Sequence, residues 1–233
     1  FKSPERVSIA VSGTPLENIL QTRYHVPNFY TKVNLLTHLL KDTETFNKVL
    51  IFIGYKKLAD LLFEKLEENF HSECCVIHSN KTQNYRLRSI EQFRNGDNRI
   101  LVATDVMARG LDIDNISHVI NFDTPDYPEN YMHRIGRTGR ADATGTAISF
   151  ITPREADSIT EVEILMNHEI EVVEFPEEVE ISTKLIEPEK DKQPIKFLLK
   201  KPKLDGSGAF HEKAKKNKKV NLGGPSKTKK KVS

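Results

Sequence analysis

Up to about Val173, short apolar runs rich in β-branched residues alternate with amphipathic stretches, and this alternation limits the fold more than any other feature of the chain. The runs Lys48–Ile53, Cys74–Ile77, Arg99–Ala103, Ser117–Phe122 and Thr144–Ile151 read as strands, with a weaker candidate at Ile170–Val173. Between them, Tyr30–Lys41 sets Val33, Leu36, Leu39 and Leu40 at helical spacing. Tyr55–Phe70 does the same with Leu58, Leu61, Leu62 and Leu66. These leucines are core residues. Strands regularly separated by helices predict an α/β fold, an open and mostly parallel sheet with helices on both faces.

Patterning changes near residue 175. Beyond it, Pro176, Pro188, Pro194, Pro202 and Pro225 and blocks of like charge replace periodicity, so the folded domain is expected to end there. The expected organisation is an entering strand and linker over 1–28, one domain over 29–175, an acidic-to-mixed linker over 176–199 and a lysine-rich tail over 200–233. Val7–Val11 is the candidate entering strand. No internal repeat is visible. The formal net charge of +2 conceals a strong segregation. Glu161–Asp191 holds eleven acidic residues against Lys184 and Lys190, and Lys200–Ser233 holds twelve lysines against Asp205 and Glu212. Such a lysine run is either a solvated tail or a contact for a polyanion, where each phosphate neutralised releases a counterion.

Other classes are excluded. The longest apolar run, Val49–Ile53, is far shorter than the ~20 residues that span a bilayer, so no membrane helix is expected. The two cysteines, Cys74 and Cys75, are adjacent in a predicted strand and should point to opposite faces, which rules out a disulfide scaffold and fits a reducing, cytoplasmic setting.

Two segments carry chemistry. In Tyr131–Arg140, YMHRIGRTGR, Arg134, Arg137 and Arg140 recur every third residue after His133. Like charges at that spacing disfavour a helix or turn by ~0.2–0.5 kcal/mol per pair, so an anion is expected to face them. Guanidinium forks suit phosphate oxygens, and Gly136 and Gly139 allow close backbone approach. In Ile100–Ile113, ILVATDVMARGLDI, Thr104 and Asp105 follow a predicted strand, where ligands collect in open parallel sheets. Asp105 taken alone could equally cap the next helix.

Together these segments resemble the C-terminal RecA-like half of superfamily 2 RNA helicases, and most closely the DEAD-box family. The likeness covers nearly all of residues 1–175: VLIFIGYKK looks like motif IV, His78–Arg86 with Phe93–Gly96 like the element that follows it, ILVATDVMARGLDI like motif V, VINFDTP like the next element, and HRIGRTGR like motif VI. The lysine-rich tail and compact motifs look like a bacterial RhlE-like member. The resemblance implies an ATP-dependent RNA helicase whose N-terminal RecA-like half lies upstream. In it Arg137 and Arg140 would act as arginine fingers on ATP, and Asp112 would contact the ribose. His133 and Arg134 would organise the interface between the halves. Thr104, Arg109, Gln83, Arg86 and Ser79 would touch or support the RNA backbone, with no strong sequence preference and no metal held by this half. Ser79 stands where the family usually has glycine, and His78 beside it reads as a structural histidine.

No Gly-Lys dipeptide and no DEAD tetrapeptide occur in these 233 residues, so ATP and magnesium are expected to be bound mainly by the other half, and this fragment alone to be inactive. The alternative is a stand-alone RecA-like module that binds RNA or protein without turnover.

Overall fold

The structure, a computed structural model, describes residues 18–108, 113–139 and 144–190. Its strands are β1 (Ile19–His25), β2 (Val49–Phe52), β3 (Cys74–Ile77), β4 (Ile100–Ala103), β5 (His118–Asn121), β6 (Gly145–Ile151) and β7 (Glu171–Val172). They form one sheet in the order β3-β4-β2-β5-β6-β1-β7, and every pairing is parallel. The helices are α1 (Phe29–Leu39), α2 (Lys56–Phe70), α3 (Gln83–Asn95), α4 (Asp105–Ala108), α5 (Pro128–Ile135) and α6 (Ala156–Met166). The expected architecture is present.

Alternation along the strands divides the core. Val49 and Ile51 of β2 face the α1–α2 side with Cys74, Val76, Ile100 and Val102. Leu50 and Phe52 face the other side with Cys75, Ile77, Leu101 and Phe93 of α3. Central parallel strands are covered on both faces, which is why they read as continuous apolar runs. The cysteines do take opposite faces, and burial pushes both thiols up to about 12. A third cluster joins Tyr131 and Ile135 of α5 to Ile159 and Val162 of α6 over β6. The chain leaves β2 for β3 and β4 on one side, then crosses to β5 and β6 on the other. The switch between these directions puts a crevice at the carboxyl ends of β2, β4 and β5.

Two elements depart from expectation. β1 was not foreseen, because Gln21, Thr22 and Arg23 interrupt its apolar pattern; the structure gives Gln21 and Arg23 partners on the helices above. Gln21 accepts from the Tyr131 hydroxyl at 3.2 Å, and Arg23 pairs with Glu163 at 2.9 Å. The candidate entering strand Val7–Val11 lies outside the described residues, as does the lysine-rich tail.

Nor does packing stop near residue 175. Residues 176–190 run as a strap across the start of α1 with Val179 buried, and Phe175 and Ile186 pack on the same core. Asn28 caps α1 by accepting from the Thr31 amide at 2.9 Å while donating to the Ser182 carbonyl at 2.6 Å. Thr31 accepts from the Ser182 amide at 3.0 Å, and Asn34 donates to the Glu180 carbonyl at 2.8 Å. Such a segment is held by side chains of another element rather than by its own periodicity, so its sequence resembles a linker.

Two outcomes test the strap. Asn28→Ala, which removes cap and strap bond together, should cost about 1–2 kcal/mol of stability. A chain ending at Phe175 should melt below one ending at Lys190, and equal midpoints would show that the strap adds nothing.

Candidate functional site

The site is built around Arg134. It lies on the last turn of α5, which starts at Pro128 and turns its apolar Tyr131 and Ile135 into the sheet. Arg134 faces the same way and is 1% exposed. Its Nε and Nη2 donate to the two carboxylate oxygens of Asp105 at 2.6 and 2.8 Å. Nη1 donates to the Asp123 carbonyl at 2.6 Å, and Nη2 stands 3.5 Å from the Asp123 carboxylate. The guanidinium also lies 5.2 Å from the centre of the Phe52 ring. An isolated buried charge is costly; here all three nitrogens meet carboxylate or carbonyl oxygens.

This corrects part of the sequence reading. The anion facing Arg134 is supplied by the chain itself. Asp105, which could have been a ligand group or a helix cap, is the main ion-pair partner, and Asp123 was not singled out at all. The sequence did carry a signal for it: the aspartate directly follows an apolar strand, at the carboxyl end where parallel sheets place their polar groups. Asp123 also accepts from the Gly54 amide at 2.7 Å. Burial raises its carboxyl above the usual aspartate value, against the opposing pull of Arg134. The exits of β2, β4 and β5 are thus tied to α5 through one guanidinium and two carboxylates.

Other bonds fix the helix. A buried chain runs from Asn121 to Ser149 at 3.1 Å, from Ser149 to the Tyr131 hydroxyl at 3.5 Å and on to Gln21, crossing β5, β6 and β1 under α5. Burial pushes the Tyr131 hydroxyl up to about 12, so it remains a donor. Past α5, Thr138 donates to the Ile116 carbonyl at 2.6 Å, and Gly139 adopts φ 66°. A Cβ on Gly145 would come within 2.5 Å of the Gly139 amide nitrogen, so the turn after α5 sits directly on the start of β6.

Beside this clamp the expected residues fall into three places. His133 is exposed, and Arg137, half-buried with its Nε donating to the His133 carbonyl at 3.3 Å, lines a small depression with His133, Asn130 and Asp105. Thr104 and Ser79 line a larger groove of about 560 Å³ at the strand exits, which shares Asp105 and Asn130 with that depression. Gln83 and Arg86 stand apart, on the first turn of α3; Arg86 donates to Gln83 and lies against the Met107 sulfur. Arg109, Asp112 and Arg140 lie outside the described residues. His78 is 1% exposed and hydrogen-bonds Asp60 at 2.8 Å, the structural role read for it. Sequence reasoning missed Gly54, Lys56, Tyr55 and Tyr127, all of which line the groove. Among the described residues no group of three or more His, Cys, Asp or Glu is arranged to hold a metal ion, and no helix is long and apolar enough to cross a membrane.

Comparison with known proteins gives the family and agrees with the fold. The family described as the helicase conserved C-terminal domain matches residues 31–142. The RNA helicase CrhR of Synechocystis is 39% identical over 187 residues, which is 80% of this chain and 38% of that protein. The crystal structure of the E. coli DEAD-box protein SrmB bound to regulator of ribonuclease activity A aligns at TM-score 0.65 and 33% identity, covering 72% of this chain and 97% of that one. S. cerevisiae Dbp5 bound to RNA and ADP BeF3 aligns at TM-score 0.62 and 34% identity, covering 67% and 41%. The fold is therefore RecA-like, of the kind found in ATP-dependent RNA helicases. The chain belongs to the C-terminal helicase domains of the DEAD-box family. It spans well under half the length of the curated relatives it matches.

Removing one partner from a buried ion pair leaves the others uncompensated. Arg134→Met, which strands Asp105 and Asp123, should destabilise the domain by ~3–5 kcal/mol in denaturant titration. Loss of under ~1 kcal/mol would contradict the clamp.

Proposed function

We propose that this domain is the C-terminal half of an ATP-dependent DEAD-box RNA helicase, gripping the RNA backbone and supplying arginine fingers to ATP held by an N-terminal RecA-like half, so that hydrolysis is coupled to duplex unwinding. The observation that carries the reading is the placement of Arg137. It follows directly on the clamped end of α5 and lines a depression continuous with the groove at the strand exits.

Phosphoryl transfer asks a protein mainly for positioning and charge stabilisation. Arg137, with Arg140 as the second finger, would face the γ-phosphate from across the cleft, where a fixed guanidinium stabilises charge spreading over the transferred group. Asp112 would bind the ribose, and exposed His133 would meet the opposing half. Arg134 would act indirectly, by holding the helix that leads into the finger. Thr104, Ser79 and Arg109 would lie along the RNA backbone, with Gln83 and Arg86 supporting them, and such contacts hold a strand without reading its bases. Magnesium would be bound with ATP by the other half. The solved complex of Dbp5 with RNA and ADP BeF3 supports both ligands for a relative of this fold. The RhlE-like affinity rests on the lysine-rich composition of 200–233 and the compact motifs, and the cytoplasmic setting on the free cysteines.

In the intact protein Arg137→Ala should lower kcat for RNA-stimulated ATP hydrolysis by at least ~10³-fold, with a smaller change in nucleotide affinity. Near-normal kcat would remove Arg137 from the finger role. The 233-residue chain alone should not hydrolyse ATP at a helicase-like rate.

A further inference from the structure

The Arg134 clamp ends with α5, yet Arg137 lies beyond that helix. Past Ile135 the chain makes a tight turn, in which the Arg137 amide donates to the Arg134 carbonyl at 3.1 Å and the Thr138 amide to the Ile135 carbonyl at 3.0 Å. Gly139 then takes φ 66° and the chain changes direction. Arg137 is half-buried in this turn, whereas Thr138 is 1% exposed. Its hydroxyl reaches out of the turn altogether. It donates to the Ile116 carbonyl at 2.6 Å, with the Ser117 carbonyl 3.4 Å away.

The far end of that bond is rigid. Ser117 donates to the Lys48 carbonyl from both its amide and its hydroxyl, each at 2.9 Å, and the hydroxyl accepts from the Lys48 amide at 3.1 Å, which ties the segment to the residue before β2. Ile113 and Ile116 are buried in the cluster around Phe93 of α3. Asn115 between them takes φ 58°, a left-handed conformation that asparagine tolerates better than most residues. On the near side β6 closes over the threonine, since a Cβ on Gly145 would come within 2.7 Å of Thr138 Oγ1 and Cγ2. An apolar side chain would fill such an enclosure without needing a partner, so the hydroxyl is explained by what it holds. Ile113 follows directly on Asp112, read above as the ribose contact. The bond thus joins the turn that carries Arg137 to the segment that follows Asp112.

We propose that Thr138 is a positioning residue for Arg137: its hydroxyl latches the turn after α5 to the Ile116 carbonyl and so sets where the guanidinium stands in the transition state of ATP hydrolysis. The inference rests on the finger reading above and deepens it. Thr138 is buried and acts only through its neighbour. An arginine on a loose turn still attracts a phosphate, but it stabilises the transferring group less, because it must first be ordered. Loss of the latch therefore lowers kcat more than it changes KM.

The test uses the intact protein and its RNA-stimulated ATP hydrolysis at saturating RNA, with RNA affinity and melting temperature measured alongside. Thr138→Val should lower kcat at least ~10-fold while KM for ATP and RNA affinity stay within about 2-fold of the unsubstituted protein. Thr138→Ala repeats the measurement without placing a methyl group against the Ile116 carbonyl. Thr138→Ser, which keeps the hydroxyl, should recover most of the rate. Because the hydroxyl acts through Arg137, the same valine in an Arg137→Ala background should cost under ~3-fold. Near-normal kcat in both hydroxyl-free variants, a serine variant as slow as the valine one, or an undiminished loss in the Arg137→Ala background would overturn the latch while leaving the finger reading intact. Near-normal kcat in Arg137→Ala alone would overturn that reading and this inference with it.

Discussion

The arrangement of this domain depends on one buried charge. A guanidinium withdrawn from water is tolerated only where fixed oxygens replace its hydration, and Arg134 finds them in Asp105 at the end of β4 and Asp123 at the end of β5. Since Asp123 also takes the Gly54 amide, the same contacts fix where the chain leaves β2. Apolar packing determines that α5 lies on the sheet. The ion pairs determine its rotation and depth, and with them the direction in which His133 and Arg137 project.

A second buried charge does similar work on the opposite face. Lys32 of α1 donates to the Phe122 carbonyl and to Glu155, each at 2.7 Å, while Glu155 accepts from the Thr124 amide at 2.9 Å. Burial alone would raise the Glu155 carboxyl, but the Lys32 charge and the hydrogen bonds from Lys32 and Thr152 outweigh it and hold it below the usual glutamate range. The segment 122–124 is therefore gripped from both sides of the sheet. The proposed function, a finger for one ligand and a groove for another, would need such rigidity, because small misplacements of charge-stabilising groups are expensive in rate.

The strands with two covered faces were legible because burial on both sides leaves an unbroken apolar run, as in Val49–Phe52 and Ile100–Ala103. The arginine cluster was legible as chemistry, but the destination of Arg134 was not. Its partners stand 29 and 11 residues away, and only the crossover of the chain brings them together. β1 stayed hidden because its polar side chains answer groups on α5 and α6. The strap stayed hidden because Asn28, Thr31 and Asn34 hold it from α1. That Tyr55 and Tyr127 stand exposed at the groove could not be read, since whether they are core or exposed depends on which way two helix starts face.

Amide hydrogen exchange in Arg134→Lys tests the central claim most directly, because lysine keeps the charge but cannot bridge both carboxylates. The clamp predicts that protection falls selectively at Gly54, at the first turn of α4 and along α5, while amides of β2 and β4 within the sheet keep the protection set by global unfolding. A uniform loss across the domain, or no change at Gly54 and α5, would show that Arg134 does not hold the strand exits together.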